Sequence, residues 1–421
     1  MTTTTTSGRL PDLVRAQRRI LAVLVAAQIL SGAGLAAGIT VGALLAQDML
    51  GSTGLAGLPS ALFTIGSAAA AAAVGRISDR AGRRTGLALG YATGAVGSLG
   101  VVAAAIADNV ALLFASFLVY GAGTATSLQA RYAGADCAQP AHRARAISTV
   151  LVATTVGAVA GPNLVTLMSN LAESWGIPPL SGPFVLSGLA YALAGLVLWI
   201  LLRPDPLHLA RVRLESNTDD MTGTDTAAAS ATRTWTAPVV LAATVMVLTQ
   251  LVMVAIMTMT PIHMQHHGHS VGAAGFVIAV HVAGMYLPSL LSGVLVDRFG
   301  AGVVGVAAAV TLVAAGVAAA LAPPSSVVAL ALALGLLGLG WNLGLISGTT
   351  MLTDAVPLAT RARTQGTVDL CIAIAGAGGG LGSGMIVAAT DYPGLALLGA
   401  ALSLAIVPAL AIAARRHALP R

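Results

Sequence analysis

Two short segments of this 421-residue chain recur at one fixed interval. The segment GRISDRAGRR contains Asp79, and it recurs as GVLVDRFGAG around Asp297. The segment ADCAQPAHRARA contains Asp136, and it recurs as TDAVPLATRART around Asp354. The interval is 218 residues for both aspartates, so about sixty residues align between the copies without a net insertion. Such a repeat predicts that the chain folds as two homologous halves.

The composition indicates that both halves lie in a lipid bilayer. Hydrophobic residues make up 57% of the chain and charged residues only 9%, and the mean hydropathy is +0.88. A membrane-spanning helix needs about 20 apolar residues. Twelve stretches of this kind, numbered here as spans one to twelve, begin near residues 20, 54, 85, 109, 146, 181, 237, 271, 301, 324, 364 and 393. The sequence therefore predicts an all-α membrane protein with six spans in each half.

The positive residues indicate how these spans are oriented. All 21 are arginines, and each lies near a terminus or near a connection from an even-numbered to an odd-numbered span. These connections share one side of the membrane, and positive residues are retained on the cytoplasmic side. We therefore expect a multi-pass protein of the cytoplasmic (inner) membrane with both termini in the cytoplasm. This bias explains the basic composition without nucleic-acid binding, because no basic patch is interleaved with aromatic residues.

The chain divides into five regions on these grounds. They are a cytoplasmic N-terminal segment, a first six-span bundle, a cytoplasmic linker, a second six-span bundle and a cytoplasmic tail, at residues 1–19, 20–202, 203–235, 236–414 and 415–421. The linker is rich in Asp, Thr and Ala and has no apolar period, which is typical of a connection between domains. The first apolar stretch is long enough to span the membrane and lacks a convincing cleavage site, so we expect it to remain as span one.

The segment between spans two and three carries a recognisable motif. Its pattern is Gly-x-x-x-Asp-Arg-x-Gly-Arg-Arg, which this chain fills with Gly75, Asp79, Arg80, Gly82, Arg83 and Arg84. With twelve spans in two sets of six, the chain resembles the major facilitator superfamily of secondary transporters. The resemblance implies an alternating-access carrier built from two pseudo-symmetric six-helix bundles. We expect a monomer without a cofactor, and no set of neighbouring catalytic side chains indicates an enzyme.

The resemblance also implies that the first motif latches the two halves together on the cytoplasmic side. Arg83 is a suitable ion-pair partner for Asp136 at the end of span four. The second copy keeps Asp297 and Arg298 but lacks the two final arginines, which argues against a symmetric latch. The alternative is that these arginines only anchor the topology of the chain.

Spans seven and eight carry side chains that their counterparts in the first half lack. Met253 and Met257 lie four residues apart in span seven, so they share one helix face. His281 and Met285 have the same spacing in span eight. Thioethers and imidazoles are ligands that suit Cu(I). We therefore expect a copper site on these two faces, and the alternative is core packing, for which methionine is an ordinary choice.

The connection after span seven reads HMQHHGHS and holds half of the eight histidines. Its candidate metal-capture residues are His263, Met264, His266, His267 and His269. Together with the four residues of spans seven and eight, this loop resembles the CcoA-type copper importers of the same superfamily. That resemblance implies import of copper, as Cu(I). Two alternatives stay open, namely that the loop is a solvated polar turn and that the chain is a proton-coupled exporter of a small organic compound or drug.

A few polar residues inside the spans are candidates for coupling or for contact with the substrate. Asp369 in span eleven is the candidate for protonation, and its alternative is a structural ion pair with Arg363 or with span four. The candidate cavity residues are Gln28, Gln129, Gln250 and Asn342. Each of these amides could equally join two helices. Cys137 and Cys371 lie near the cytoplasmic ends of spans four and eleven, where we expect no disulfide.

Overall fold

The computed structural model describes residues 9–50, 58–219 and 235–411. All regular structure within these ranges is helical. The helices, numbered in chain order, are α1 Arg9–Leu50, α2 Leu58–Ile106, α3 Val110–Asp136, α4 Arg143–Ser174, α5 Gly182–Leu201, α6 Pro206–Asp219, α7 Ala237–His266, α8 Val271–Tyr286, α9 Ser289–Phe299, α10 Ala301–Leu321, α11 Val327–Ala355, α12 Arg361–Ala389 and α13 Tyr392–Leu404. The first eight residues of the predicted N-terminal segment, linker residues 220–234 and the predicted tail 415–421 lie outside the described residues.

Nine helical segments in the described part of the chain are long and apolar enough to cross a membrane. Their starts follow the predicted spans, since α3, α7 and α10 begin at residues 110, 237 and 301, against predicted starts near 109, 237 and 301. One of the nine segments, within α2, contains both span two and span three. The fold class is therefore the all-α membrane fold that the sequence predicts.

Two glycines of the repeated motif break the helices at equivalent points. Gly82 has φ 87° and ψ 163° inside α2, a backbone conformation that residues with a Cβ rarely adopt. In the second copy, Gly300 has φ 87° and ψ 151° and separates α9 from α10. The repeated glycine therefore makes the turn between consecutive spans in both halves.

Polar side chains cap several helices where one span ends and the next begins. Asn109 accepts a hydrogen bond at 2.9 Å from the third backbone amide after it, at the start of α3. Ser326 does the same for α11 at 3.2 Å, and Asp391 does so for α13 at 2.6 Å. Such caps pair amides that have no partner within the helix, which fixes where the helix begins.

The described residues form two compact units. Unit one takes its residues from Met1–Pro140, Thr149–Ala231 and Pro357–Leu370. Unit two takes its residues from Ala141–Ser148, Thr232–Val356 and Cys371–Arg421. Segment 141–148, which was predicted in the first bundle, belongs to unit two, and segment 357–370, which was predicted in the second bundle, belongs to unit one. The two segments correspond to one another in the 218-residue repeat. The bundle limits 20–202 and 236–414 stay a prediction.

Aromatic side chains fill the core of unit one. Tyr91, Tyr120 and Tyr191 are fully buried, and the ring of Tyr191 lies 5.8 Å from each of the other two. Phe184 packs edge-on against Tyr120 at 5.7 Å between ring centroids. The Tyr91 and Tyr191 rings are stacked, and stacked and edge-on pairs are the favoured geometries of aromatic rings. The cluster holds α2, α3 and α5 together.

Glycines bring the helices of unit two into close contact. A Cβ at Gly338 in α11 would collide with the backbone of His281 in α8. A Cβ at Gly348, also in α11, would collide with the side chain of Met246 in α7. Small residues allow such an approach in membrane bundles. Helix α11 therefore packs directly against the two helices that carry the predicted copper ligands.

Part of the predicted linker is helical. Helix α6 begins after Asp205, whose Oδ1 accepts hydrogen bonds from the amides of Leu207 at 3.0 Å and His208 at 3.2 Å. Pro206 stands at the first helical position, where the missing N–H would have no partner in the helix. The sequence does not predict this helix, because the segment has no apolar period. A cap and contacts with α2 and α3 support the helix instead.

Candidate functional site

The first motif forms a buried ion-pair network in unit one. Arg83 is fully buried, and its Nε donates a hydrogen bond to Asp136 Oδ2 at 2.8 Å. Its Nη2 donates to Gln365 Oε1 at the start of α12. Arg361 Nη1, one turn earlier, lies 3.9 Å from Asp136 Oδ1. The expected contact of Arg83 with Asp136 is therefore present, whereas its role as a latch stays a prediction.

The linker helix contacts the same motif. Arg211 Nη2 of α6 donates to Asp79 Oδ1 at 2.9 Å and to the carbonyl oxygen of Ala359 at 3.1 Å. The backbone amide of Arg84 donates to Asp205 Oδ2 at 2.7 Å. Sequence reasoning missed both linker residues. The Asp-Pro pair at the start of α6, which is typical of a capped helix, is the signal for Asp205, whereas no local signal indicates the contacts of Arg211.

Other motif residues have packing or surface positions. Gly75 lies against Gly366 of α12, and a Cβ at residue 75 would come within 2.7 Å of the Gly366 Cα atom. Arg80 and its repeat Arg298 are both exposed. Gly75 thus permits close approach of two backbones, and the two exposed arginines are the motif positions that fit a topological anchor best.

The second motif holds the start of α4 in unit two. Asp297 Oδ1 accepts a hydrogen bond from the amide of Ala144 at 3.0 Å. Its Oδ2 accepts from Arg145 Nε at 2.9 Å, and nearby Arg143 pairs with Asp354. A carboxylate at a helix start is stabilised by the unpaired amides there and by the helix dipole. The second copy therefore binds a helix end through its aspartate, although it lacks the two final arginines.

Another buried ion pair in unit one joins α3 to α12. Asp369 Oδ1 accepts hydrogen bonds from Arg131 Nη2 at 2.7 Å and from the Tyr132 hydroxyl at 3.0 Å. Arg131 Nη2 also donates to the Tyr132 hydroxyl at 2.9 Å, so the three side chains form a closed triad. Asp369 Oδ2 is buried and has no hydrogen-bond partner. We call these three residues the Asp369 triad.

The triad corrects the sequence interpretation of one arginine. Arg131 was assigned to the connection after span four, with the arginines that set topology, but it lies inside α3 and is fully buried. Its charge is compensated locally by Asp369, so the side chain does not extend to the membrane surface. The ion-pair partner of Asp369 is therefore Arg131 of span four. The other alternative, Arg363, is exposed.

The predicted copper ligands lie in the packed interior of unit two. His281 is fully buried, Met253 and Met285 nearly so, and Met257 is half-buried. His281 Nδ1 lies 2.9 Å from a carbonyl oxygen of α11, while its Nε2 is buried without a hydrogen-bond partner. In the described part of the chain, no three side chains of His, Cys, Asp or Glu are grouped to hold a metal ion. Copper binding by the four residues stays a prediction.

The histidine-rich segment is partly helical, unlike the predicted loop. Helix α7 continues past Pro261 to His266, so His263 and Met264 lie on the helix. Proline is tolerated in a membrane helix where neighbouring groups pair the freed backbone atoms. Met264 is fully buried, which removes its thioether from the solvent-facing set of expected ligands in this conformation.

Three of the four histidines contact neighbouring groups. His263 stacks on Tyr392 with 4.3 Å between ring centroids, and its ring lies 4.4 Å from that of His267. His269 Nε2 lies 2.7 Å from the carbonyl oxygen of Pro324. These contacts fit the polar-turn alternative, and metal capture by the histidines stays untested.

Three of the four candidate cavity amides join helices. Gln28 donates to a carbonyl oxygen of α3 at 3.1 Å, Gln129 to one of α2 at 2.6 Å and Asn342 to one of α8 at 2.7 Å. All three are fully buried. Since each amide pairs with a backbone carbonyl of another helix, they act as interhelical contacts in this arrangement.

Gln250 is placed differently. It is half-buried, and its Oε1 accepts a hydrogen bond at 2.7 Å from the indole Nε1 of Trp341 in α11. Tyr286 at the end of α8 meets the Trp341 ring edge-on at 5.9 Å and is also half-buried. We call these three residues the aromatic-amide cluster. The two rings were not predicted, because they come from helices far from Gln250 in sequence.

Cys137 is a weak candidate for a metal exit site. It follows the last residue of α3, and its Sγ donates to the carbonyl oxygen of Pro206 at 3.0 Å. Burial raises the pKa of the Cys137 thiol to about 12, and the neighbouring Asp136 carboxylate adds to the rise. The thiolate is the form that binds metals and reacts, so this thiol is held in its inert form at neutral pH.

Comparison with known proteins places this arrangement in a family. The sequence model described as Major Facilitator Superfamily matches residues 24–271 and 242–421. The chain is 56% identical over 391 residues to the uncharacterized MFS-type transporter YdeG of Bacillus subtilis strain 168, covering 93% of this chain and 91% of that relative. It is 32% identical over 371 residues to the riboflavin transporter RfnT of Brucella anthropi, covering 84% of this chain and 85% of that relative.

Solved structures agree on the fold. The human organic anion transporter MFSD10 superimposes with a TM-score of 0.75 at 16% identity, covering 94% of this chain and 99% of that one. Identity this low supports the fold alone, while the family match and the two relatives extend over most of the sequence. The chain is therefore a membrane-embedded transporter, and not an enzyme, that belongs to the Major Facilitator Superfamily.

Proposed function

We propose that this transporter carries a small organic solute with a flat, polar aromatic ring system, of the class to which flavins belong. The observation that carries the proposal is the aromatic-amide cluster in unit two. Its indole is fixed by the hydrogen bond to Gln250, and Tyr286 lies across the edge of the Trp341 ring. The relative RfnT, at 32% identity, is named a riboflavin transporter.

The cluster supplies the contacts that such a solute needs. Aromatic faces stack on flat rings, and the Gln250 Nε2 carries N–H groups suited to ring carbonyl oxygens and ring nitrogens. Gly376 of α12 lets that amide pack closely against the helix, since a Cβ there would lie only 3.2 Å from Nε2. Binding sites for small molecules combine apolar walls with a few placed polar groups, and the helices around this cluster are strongly apolar.

Binding of riboflavin to the purified protein tests this proposal. Flavin fluorescence is followed during a titration, with Trp341→Leu as the test variant. Because stacking on one ring contributes about 1–3 kcal/mol, the variant should bind about tenfold more weakly or worse. Trp175→Leu is the matched control, because Trp175 is 56% exposed and lies outside the cluster. Absence of saturable binding by the wild type, or equal affinity in Trp341→Leu, would overturn the proposal.

Import of copper is the second candidate function. The observation in its favour is the buried Nε2 of His281, which has no hydrogen-bond partner and lies in the unit that also buries Met253 and Met285. Imidazole and thioether together form a soft ligand set that suits Cu(I) and disfavours hard cations. Direction into the cell follows only from the resemblance to copper importers.

Uptake of Cu(I) into proteoliposomes tests the second candidate. The double variant Met253→Leu, Met285→Leu keeps side-chain volume but removes both sulfur atoms, so copper uptake should fall to the level of empty liposomes. Met385→Leu is the control, because Met385 is 75% exposed. Riboflavin binding should survive the double variant. Wild-type uptake no greater than that of empty liposomes would remove copper from consideration.

We also propose that the protein is a monomer of the cytoplasmic membrane with both termini in the cytoplasm. The distribution of the arginines supports this orientation. Alkaline phosphatase fused after residue 421 should be inactive, whereas a green fluorescent protein fused there should fluoresce. Light scattering should give a protein mass near 41.6 kDa once detergent is subtracted. An active phosphatase fusion would reverse the orientation.

A further inference from the structure

The Asp369 triad leaves one carboxylate oxygen available for a proton. Both partners, Arg131 and Tyr132, bind Oδ1. Oδ2 is buried and has no hydrogen-bond partner, and the Asp369 residue as a whole is only 6% exposed. A buried, charged oxygen without a hydrogen-bond donor raises the free energy of the folded state. Addition of a proton to this oxygen removes the charge and with it that cost.

The triad is continuous with the ion-pair network of the first motif. Arg361, Gln365 and Asp369 are spaced four residues apart, so they lie along one face of α12. Gln365 accepts a hydrogen bond from Arg83, and Arg361 lies 3.9 Å from Asp136. The same face of α12 therefore carries both contacts to α3, one from Asp369 to Arg131 and one from Arg361 to Asp136.

The charges along this face are closely balanced. Three arginines meet two carboxylates, namely Arg83, Arg131, Arg361, Asp136 and Asp369. Arg83 of α2 also interacts electrostatically with Asp369 and lies 5.9 Å from the Tyr132 ring. Loss of the Asp369 charge would remove the carboxylate that pairs with the buried Arg131 at 2.7 Å. Uncompensated buried charge is strongly unfavourable, so the contact between α3 and α12 would weaken.

The repeat supplies no second copy of this triad. The positions 218 residues away from Arg131, Tyr132 and Asp369 are Thr349, Thr350 and Leu151. The helices of the other half therefore form without an equivalent of the triad. A buried charge cluster that the scaffold does not require is a candidate for function.

We propose that Asp369 is the proton-binding site that links transport to the pH gradient. A proton from water adds to Oδ2, the carboxylate becomes neutral, and Arg131 and Tyr132 lose their ionic partner. The helix contact between α3 and the start of α12 then loosens, and deprotonation restores it. This inference holds for any solute and goes beyond the proposed substrate class.

Infrared difference spectroscopy of the protein in lipid tests the site without any solute. Spectra taken from about pH 4 to about pH 9 cover the range in which buried carboxyl groups titrate. The wild type should show the carbonyl band of a protonated, buried carboxylic acid, and Asp369→Asn should lack that band. Asp108→Asn is the control, because Asp108 is exposed and the band should persist.

A gentler variant keeps the test decisive if Asp369→Asn fails to fold. Tyr132→Phe removes one of the two hydrogen bonds to the ionised carboxylate, so the band should appear at a higher pH than in the wild type. A band that survives in Asp369→Asn, or that is absent from the wild type over the whole range, would overturn the proposal. Failure of riboflavin to bind would leave these spectra unchanged, so the two proposals fail separately.

Discussion

At the scale of single residues, Arg83 is the side chain on which the buried ion-pair network of the first motif depends. It contacts Asp136 through Nε and Gln365 through Nη2, so one guanidinium bridges two helices. A lysine has a single charged nitrogen without this planar fork and would reproduce only one of the two contacts. The role of this position is therefore specific to arginine, whether or not the network also serves as a latch.

Removal of this guanidinium should destabilise the protein substantially. We expect Arg83→Ala to cost about 3–5 kcal/mol, because it leaves the Asp136 carboxylate buried with only the distant Arg361 as a partner. Thermal unfolding in detergent measures the effect. Arg80→Ala, at an exposed position of the same motif, should change stability by less than about 0.5 kcal/mol. Equal stability of the two variants would show that the buried ion pair contributes nothing net.

The Cys137 thiol should be unreactive. Its pKa is raised from about 9 to about 12, so the stability that this shift contributes is fully present below about pH 9 and is lost as the pH rises through about 12. At pH 8 about one part in ten thousand is thiolate. In a Cys371→Ser background, maleimide labelling should therefore be far slower than that of a cysteine introduced as Ser216→Cys on exposed α6. Comparable rates would contradict the assigned burial and its electrostatic cause.

At the scale of elements, α6 is held at its start by a cap. Asp205 accepts bonds from two amides of α6 and from the amide of Arg84. We expect Asp205→Ala to destabilise α6 by about 1 kcal/mol. Hydrogen exchange across 206–219 should then speed up about fivefold, while the exposed variant Glu215→Ala leaves it unchanged. Unaltered exchange in Asp205→Ala would mean that packing alone holds the helix.

The elements were predictable to the extent that they depend on local signals. Apolar length gave the starts of most spans, and the glycine of each motif marked the break that Gly82 and Gly300 make. Local signals cannot show whether a charge near a helix end turns inward, so the sequence alone does not indicate that Arg131 is buried. The pairing of Gln250 with Trp341 joins residues 91 apart in sequence, which only the folded chain brings together.

At the scale of the whole molecule, the repeat explains which contacts are scaffold and which are specialised. The pair Arg361 and Asp136 in unit one corresponds, 218 residues away, to Arg143 and Asp354 in unit two. The aspartates of the two motifs differ, because Asp297 binds the start of a helix whereas Asp79 binds the linker. The Asp369 triad has no equivalent in unit two, and we assign proton coupling to that difference.

Exchange of riboflavin by proteoliposomes tests the central claim, a proton-linked carrier for a flat organic solute. Vesicles loaded with unlabelled riboflavin are given radiolabelled riboflavin outside, with and without a pH gradient. We predict uptake above that of empty liposomes, stimulation by the gradient in the wild type, and exchange that does not respond to the gradient in Asp369→Asn. Wild-type uptake equal to that of protein-free vesicles under both conditions would contradict it.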